Sequence, residues 1–189
     1  SMDRREFTLQ LDGLAAAFRD PGVLEALTNI GPKGVAVAVT QWGGPDEAKV
    51  IVPFTRISSP REAKAFGFRI GRARRAFLAS STSIATAILH GVRILEENSF
   101  AGERRVIDIS GDGLDNGGLD LNAALDAALN AGIVVNGLPI DADNVQLADY
   151  YRGQVIIGTD CFIERAADFD DFARAIREKL IRELRPLGS

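Results

Sequence analysis

Val106-Ile107-Asp108-Ile109-Ser110-Gly111-Asp112-Gly113 is an apolar, β-branched run that ends in an acidic, glycine-punctuated turn. Such a run reads as a buried strand, and Gly111 and Gly113 let the backbone turn sharply where Asp112 emerges. In an open α/β sheet, ligands sit in the crevice beyond the carboxyl ends of the strands, so this stretch marks a ligand-binding corner.

The pattern on either side supports that reading. Upstream, Ser83 to about Asn98 carries Ile84, Ala87, Ile88, Gly91, Ile94 and Leu95 on one face, which predicts a helix lying on a sheet. The hydroxyl-rich cluster Ser80-Ser81-Thr82-Ser83 opens that helix. Downstream come a helix from about Leu119 to Asn130, a strand from Ile133 to Leu138 and a short helix near Val145 to Tyr151. Strand-like Val155-Ile156-Ile157 and Cys161-Phe162-Ile163 follow, then an amphipathic helix from about Phe169 to Leu184.

In the first half, Phe7, Leu11, Leu14, Ala15 and Phe18 fall at helical spacing, and Asp20-Pro21-Gly22 stops the run. Val35 to Val39 and Lys49 to Phe54 read as strands joined by Gly43-Gly44-Pro45-Asp46, an antiparallel hairpin. Ser59-Pro60 starts a helix that carries Ala63, Phe66 and Ile70 inward. Strands alternating with helices imply right-handed crossovers and a mostly parallel sheet, with the hairpin at its edge.

The 189 residues fit one domain, 1–189, with 46% hydrophobic and 25% charged residues, the composition of an ordinary globular protein. A formal net charge of −4 argues against a general nucleic-acid binder. No apolar run approaches the roughly 20 residues that span a bilayer, so no membrane segment is expected. Cys161 is the single cysteine, which rules out an internal disulfide.

The hydroxyl-rich loop before a helix, followed by a strand ending in Asp-Gly, resembles the second and third metal-binding loops of the von Willebrand factor type A (vWA) domain. The resemblance runs in order from Asp3 to about Leu184 and points to a bacterial subfamily of unassigned function. It implies a three-layer α/β/α, Rossmann-like vWA fold, with a mostly parallel sheet and one antiparallel edge hairpin. In that family a divalent cation is held at a metal-ion-dependent adhesion site (MIDAS) by an Asp-x-Ser-x-Ser loop after the first strand, a Thr in the second loop and an Asp in the third. Thr82 matches the Thr and Asp112 the Asp, with Ser80 as a further contributor and Asp115 and Trp42 as rim residues.

The first loop has no counterpart. Ser1-Met2-Asp3-Arg4-Arg5-Glu6-Phe7 resembles the start of the helix that follows Asp-x-Ser-x-Ser. Ser1 either stands where the last serine of the motif belongs or is left over from removal of a tag. A start codon assigned too far downstream would account for the loss. The resemblance places the missing strand at the centre of the sheet, between the strands at Val35 and Val106. Two replacements are expected: direct closure of these flanking strands, or a segment donated by a neighbouring molecule, as homo-oligomer or strand exchange.

The implied function is non-enzymatic: a protein-interaction module in which Mg²⁺ or Mn²⁺ takes an acidic residue from the partner protein. The cation site would be incomplete in this chain, or absent from it. Each residue also has a plainer reading. Thr82, Ser81 or Ser80 could cap the helix at Ser83, Asp112 could cap a turn, and Asp115-Asn116-Gly117-Gly118 could be the loop before the next helix. Trp42 is either an exposed anchor or packed beneath the hairpin.

Arg69, Arg72, Arg74 and Arg75 form either an acidic-partner surface or a solvated helix end. A hydrolase-type α/β enzyme is the alternative function, although Gly-x-Ser-x-Gly, Gly-Lys-Thr and dinucleotide motifs are missing from the sequence. A metal-independent scaffold is the third. Relatives of the subfamily look exported, so the resemblance implies an extracytoplasmic location.

Overall fold

In a computed structural model, which describes residues 3–78, 81–141 and 146–185, most helices start where short polar side chains can satisfy free backbone amides. Asp3 caps α1 (Arg4–Ala17) in a capping box with Glu6. Asp20 caps α2 (Pro21–Asn29), with Pro21 in the first turn. The sequence pattern assigns Asp20-Pro21-Gly22 as a stop only, whereas the same three residues also start a second helix. Asp20 supplies the acceptor, and the fixed φ of Pro21 is already helical.

The hairpin is present and longer than its apolar core. β1 (Val35–Trp42) pairs antiparallel with β2 (Ala48–Ile57), from Val35 opposite Ile57 to Trp42 opposite Ala48. Ser59 caps α3 (Pro60–Ile70), and Ser83 caps α4 (Ile84–Glu97). β3 (Arg105–Gly111), α5 (Leu121–Asn130) and β4 (Ile133–Pro139) follow, and β3 and β4 pair in parallel from Arg105 opposite Ile133 to Gly111 opposite Pro139. α6 (Leu147–Gln154) and α7 (Phe172–Glu183) complete the chain. Residue 145, where the sequence pattern starts the short helix, lies outside the described residues.

Two expectations need correction. The apolar triplets at 155–157 and 161–163 form isolated bridges, Val135 to Ile157 and Gly137 to Ile163, rather than strands. Gly158 at φ +102° and Asp160 at φ +58° bend the backbone out of any extended run between them. The second correction concerns the sheet. Instead of one mostly parallel sheet closed directly, there are two separate two-stranded sheets, β1–β2 and β3–β4, and no bridge among the described residues joins β1 to β3.

The interior divides accordingly. Ile84 and Ile88 of α4, Ile107 and Ile109 of β3, Leu125 of α5, Val135 of β4 and Tyr151 of α6 form one buried cluster. Phe18, Leu27, Ile57, Phe66 and Ile70 form another beneath the hairpin. A third, with Leu138, Ile140, Phe172 and Ile176, lies where α7 meets the end of β4. Between the halves run the α1–α7 packing, a hydrogen bond from Gln10 Nε2 to Ser110 Oγ (3.3 Å), and one from Ser83 N to Gly43 O (2.7 Å). Among the described residues no helix is long and apolar enough to cross a membrane.

Candidate metal and partner site

Three loops meet at the carboxyl ends of β1 and β3. Asn116 holds Thr82 twice: its N–H donates to Thr82 O (2.8 Å) and its Oδ1 accepts from Thr82 N (2.8 Å). Both backbone groups of Thr82 are thereby taken, and its side chain lies over Gly113. A Cβ added at Gly113 would come within 3.3 Å of Thr82 Oγ1. The hydroxyl of Thr82 therefore sits against the backbone immediately after Asp112, and the glycine is what lets it come so near. The hairpin closes the other side, since Gly44 abuts the Ser81 hydroxyl without room for a Cβ.

Asp115 is engaged through one carboxylate oxygen and its backbone amide. Its carboxylate accepts from Ile84 N (2.6 Å) and Ala85 N (3.5 Å), at the N-terminus of α4, where free amides and the helix dipole both favour an anion. Its own N–H donates to the Tyr150 hydroxyl (3.3 Å). Ser83 supplies the cap in the usual place, accepting from Thr86 N (3.2 Å).

Beneath the loops, Gly111 is buried between two aromatic side chains. A Cβ there would lie 3.0 Å from the Tyr151 hydroxyl and 3.2 Å from the Trp42 indole. Trp42 is half-buried and packs against the β3–β4 core, so it spans from the hairpin to the end of β3. Tyr151 is completely buried, and burial, followed by the negative charge of Asp112, pushes its phenol upward.

Thr82 is thus brought to Gly113, the residue after Asp112. Asp115 holds the two loops in register, and Trp42 lies in the floor. Ser80 is outside the described residues. Among the described residues no group of three His, Cys, Asp or Glu is placed to hold a metal, so a cation here would rely on a hydroxyl and one carboxylate, with further oxygens from elsewhere. Hard oxygen donors of this kind suit Mg²⁺ or Mn²⁺.

Asn116 falls in the Asp115-Asn116-Gly117-Gly118 turn that the sequence marks, whereas Tyr150 and Tyr151 escape the sequence reading. Two aromatics on an amphipathic helix carry no local sign that they will meet residues more than thirty positions away.

His90, the single histidine of the chain, and the arginines at 69 and 75 are employed elsewhere. His90 Nδ1 accepts from Arg93 (3.1 Å), and burial, then the neighbouring guanidinium, holds its pKa below the usual range. Arg69 donates to Thr55 Oγ1 (2.8 Å), and Arg75 to the carbonyls of Phe77 and Asp3 (3.1 Å each). A shallow groove lined by Phe68, Arg69, Arg72 and Arg74 includes none of the loop residues above.

This mixed α/β arrangement of strands, helices and end loops resembles that of solved vWA domains. The fold matches proximal thread matrix protein 1 from the mussel byssus with a TM-score of 0.66 at 14% identity, over 94% of this chain and 42% of that one. It matches a von Willebrand factor type A protein from Catenulispora acidiphila at 0.61 and 18%, over 91% and 38%. The mussel protein is also known with a zinc-occupied MIDAS motif, and that structure matches at 0.61 and 14%, over 95% and 43%. The chain spans less than half the length of each of these proteins. By sequence it belongs to the family described as "Protein of unknown function (DUF1194)", whose model matches residues 1–187. No protein of curated function matches it.

Proposed function

We propose that the chain is a non-enzymatic interaction module that binds a protein partner through a divalent cation, Mg²⁺ or Mn²⁺, held in part by Thr82 and Asp112. The observation that carries this reading is the seating of the Thr82 hydroxyl over Gly113, beside Asp112, between loops pinned by Asn116 and Asp115. A cation ligated by so few protein oxygens keeps strongly electrophilic positions, and an acidic residue of the partner completes its shell. The exposed side chain of Leu114, between Gly113 and Asp115, gives the partner apolar surface next to that position.

The test is calorimetric titration of Mn²⁺ into this chain and into a form extended by the codons that precede Ser1 in its gene. Binding in either form that Asp112→Ala abolishes, with the circular dichroism spectrum unchanged, supports the reading. No binding in both forms, or binding that survives Asp112→Ala, overturns it.

Among the described residues β1 pairs only with β2 and β3 only with β4, and the edges this leaves open support a second element of the same proposal, strand exchange with another copy of the chain. Sedimentation velocity over a range of protein concentrations should then show a dimer. A monomer throughout would dispose of it.

A further inference from the structure

The side chain of Tyr151 takes an unusual route. It leaves α6, crosses β4 where Gly137 makes room for the ring, and ends at Gly111, the last residue of β3. A Cβ at Gly137 would lie 2.6 Å from the ring, and one at Gly111 would lie 3.0 Å from the hydroxyl. The side chain is completely buried, and its hydroxyl has no hydrogen-bond partner among the described residues. Its neighbour Tyr150 is engaged, accepting from the Asp115 N–H. A phenol hidden from water without a replacement partner is costly, and native structures rarely keep one without a use for it.

The surroundings narrow that use. The Trp42 indole is the other side chain against Gly111 and offers only a donor. The first residue past the end of β3 is Asp112, one position from the Gly111 against which the buried phenol ends. We infer that Tyr151 is a positioning residue for Asp112, its hydroxyl donating to the carboxylate oxygen left over when the other turns to a bound cation or to that cation's water.

This inference rests on the metal reading above. A carboxylate on a glycine-flanked turn has many orientations, and a fixed donor beneath it selects one. The bond would be charge-assisted, the strong kind, and burial keeps the phenol protonated and able to donate.

Tyr151→Phe removes the hydroxyl and leaves the ring in its slot. In whichever form of the protein binds Mn²⁺, the variant should bind about tenfold more weakly. Its denaturation midpoint without the cation should be equal to or higher than that of the parent, because an unsatisfied buried group has been removed. Addition of Mn²⁺ to the parent should also produce a red-shifted tyrosine difference spectrum that Tyr151→Phe lacks.

A merely structural tyrosine would behave in the opposite way, with a lower midpoint and unchanged affinity, and that result overturns the inference. Equal Mn²⁺ affinity at any midpoint overturns it as well. Failure of the parent to bind Mn²⁺ in both forms removes the metal reading itself, and the inference falls with it.

Discussion

Lys179→Met is expected to destabilise the fold by an amount toward the lower end of about 3–5 kcal/mol, the range for breaking a buried ion pair on one side. The Lys179 side chain is fully buried on α7, where its ammonium pairs with Asp108 in the middle of β3 and lies 3.6 Å from Glu183. Asn136 and Arg104 also donate to Glu183, each at 2.7 Å, so helix and sheet meet through one charged cluster. Met keeps the apolar stem and its packing, and takes away only the charge. Asp108 then loses its cation, and Glu183 keeps Arg104 but loses the second of its two. Asp108 remains about one-third exposed, at 34%, and water there softens the penalty.

The dependence on pH follows from Glu183. Burial, then repulsion by Asp108, already raises its pKa, while Lys179 and Arg104 oppose the rise. Without Lys179 the value climbs further above that of the unfolded chain. The deficit is therefore full above the raised folded value and shrinks as the pH falls through it toward the ordinary carboxylate range. Chemical denaturation of parent and variant at neutral and mildly acidic pH measures both effects. Equal stability at neutral pH would show that the cluster is solvated in practice.

Gly137→Ala is the second substitution with a large expected effect, a loss near the upper end of about 1–3 kcal/mol for overpacking. The new methyl group would lie 2.6 Å from the Tyr151 ring and 3.3 Å from the side chains of Ile156 and Ile163. None of these has an easy retreat. The ring is buried, and Gly137 is bonded on both sides, paired with Ile109 in β3 and receiving the bridge from Ile163. A double-mutant cycle with Tyr151→Leu identifies the cause, since shortening the side chain should return much of the loss. If Gly137→Ala costs the same in both backgrounds, the strain lies elsewhere in β4.

Much of this architecture can be read from local pattern. β3 shows itself by its β-branched run, α4 by its apolar stripe, and the hairpin by Gly43-Gly44-Pro45-Asp46, because each signal is complete within one element. Asp20-Pro21-Gly22 was ambiguous for a physical reason: the residues that end one helix are also good at starting another.

The candidate site shows in the sequence only where polar residues cluster. Thr82, Asp112 and Asp115 stand in polar, glycine-punctuated turns, whereas Tyr151 acts through a path cleared by two glycines on different strands. Lys179 did leave a trace. It falls on the buried face of α7 with Phe172, Ala175 and Ile176, and a lysine in such a stripe calls for a counter-charge. Asp108, the one acid inside an apolar strand, is that counter-charge.

The separation of the two sheets also bears on how the molecule comes apart. A continuous backbone ladder would make the hairpin half and the β3–β4 half melt together. Here they are joined by the Trp42 side chain on Gly111, a single backbone hydrogen bond from Ser83 to Gly43, and the packing of α1 on α7. Opening can therefore proceed in two cooperative units, with amide exchange faster in the half of lower local stability. The loops that carry Thr82, Asp112 and Asp115 lie on the seam between those units. A ligand bound there would hold both, and would be felt as a change in the cooperativity of the whole domain.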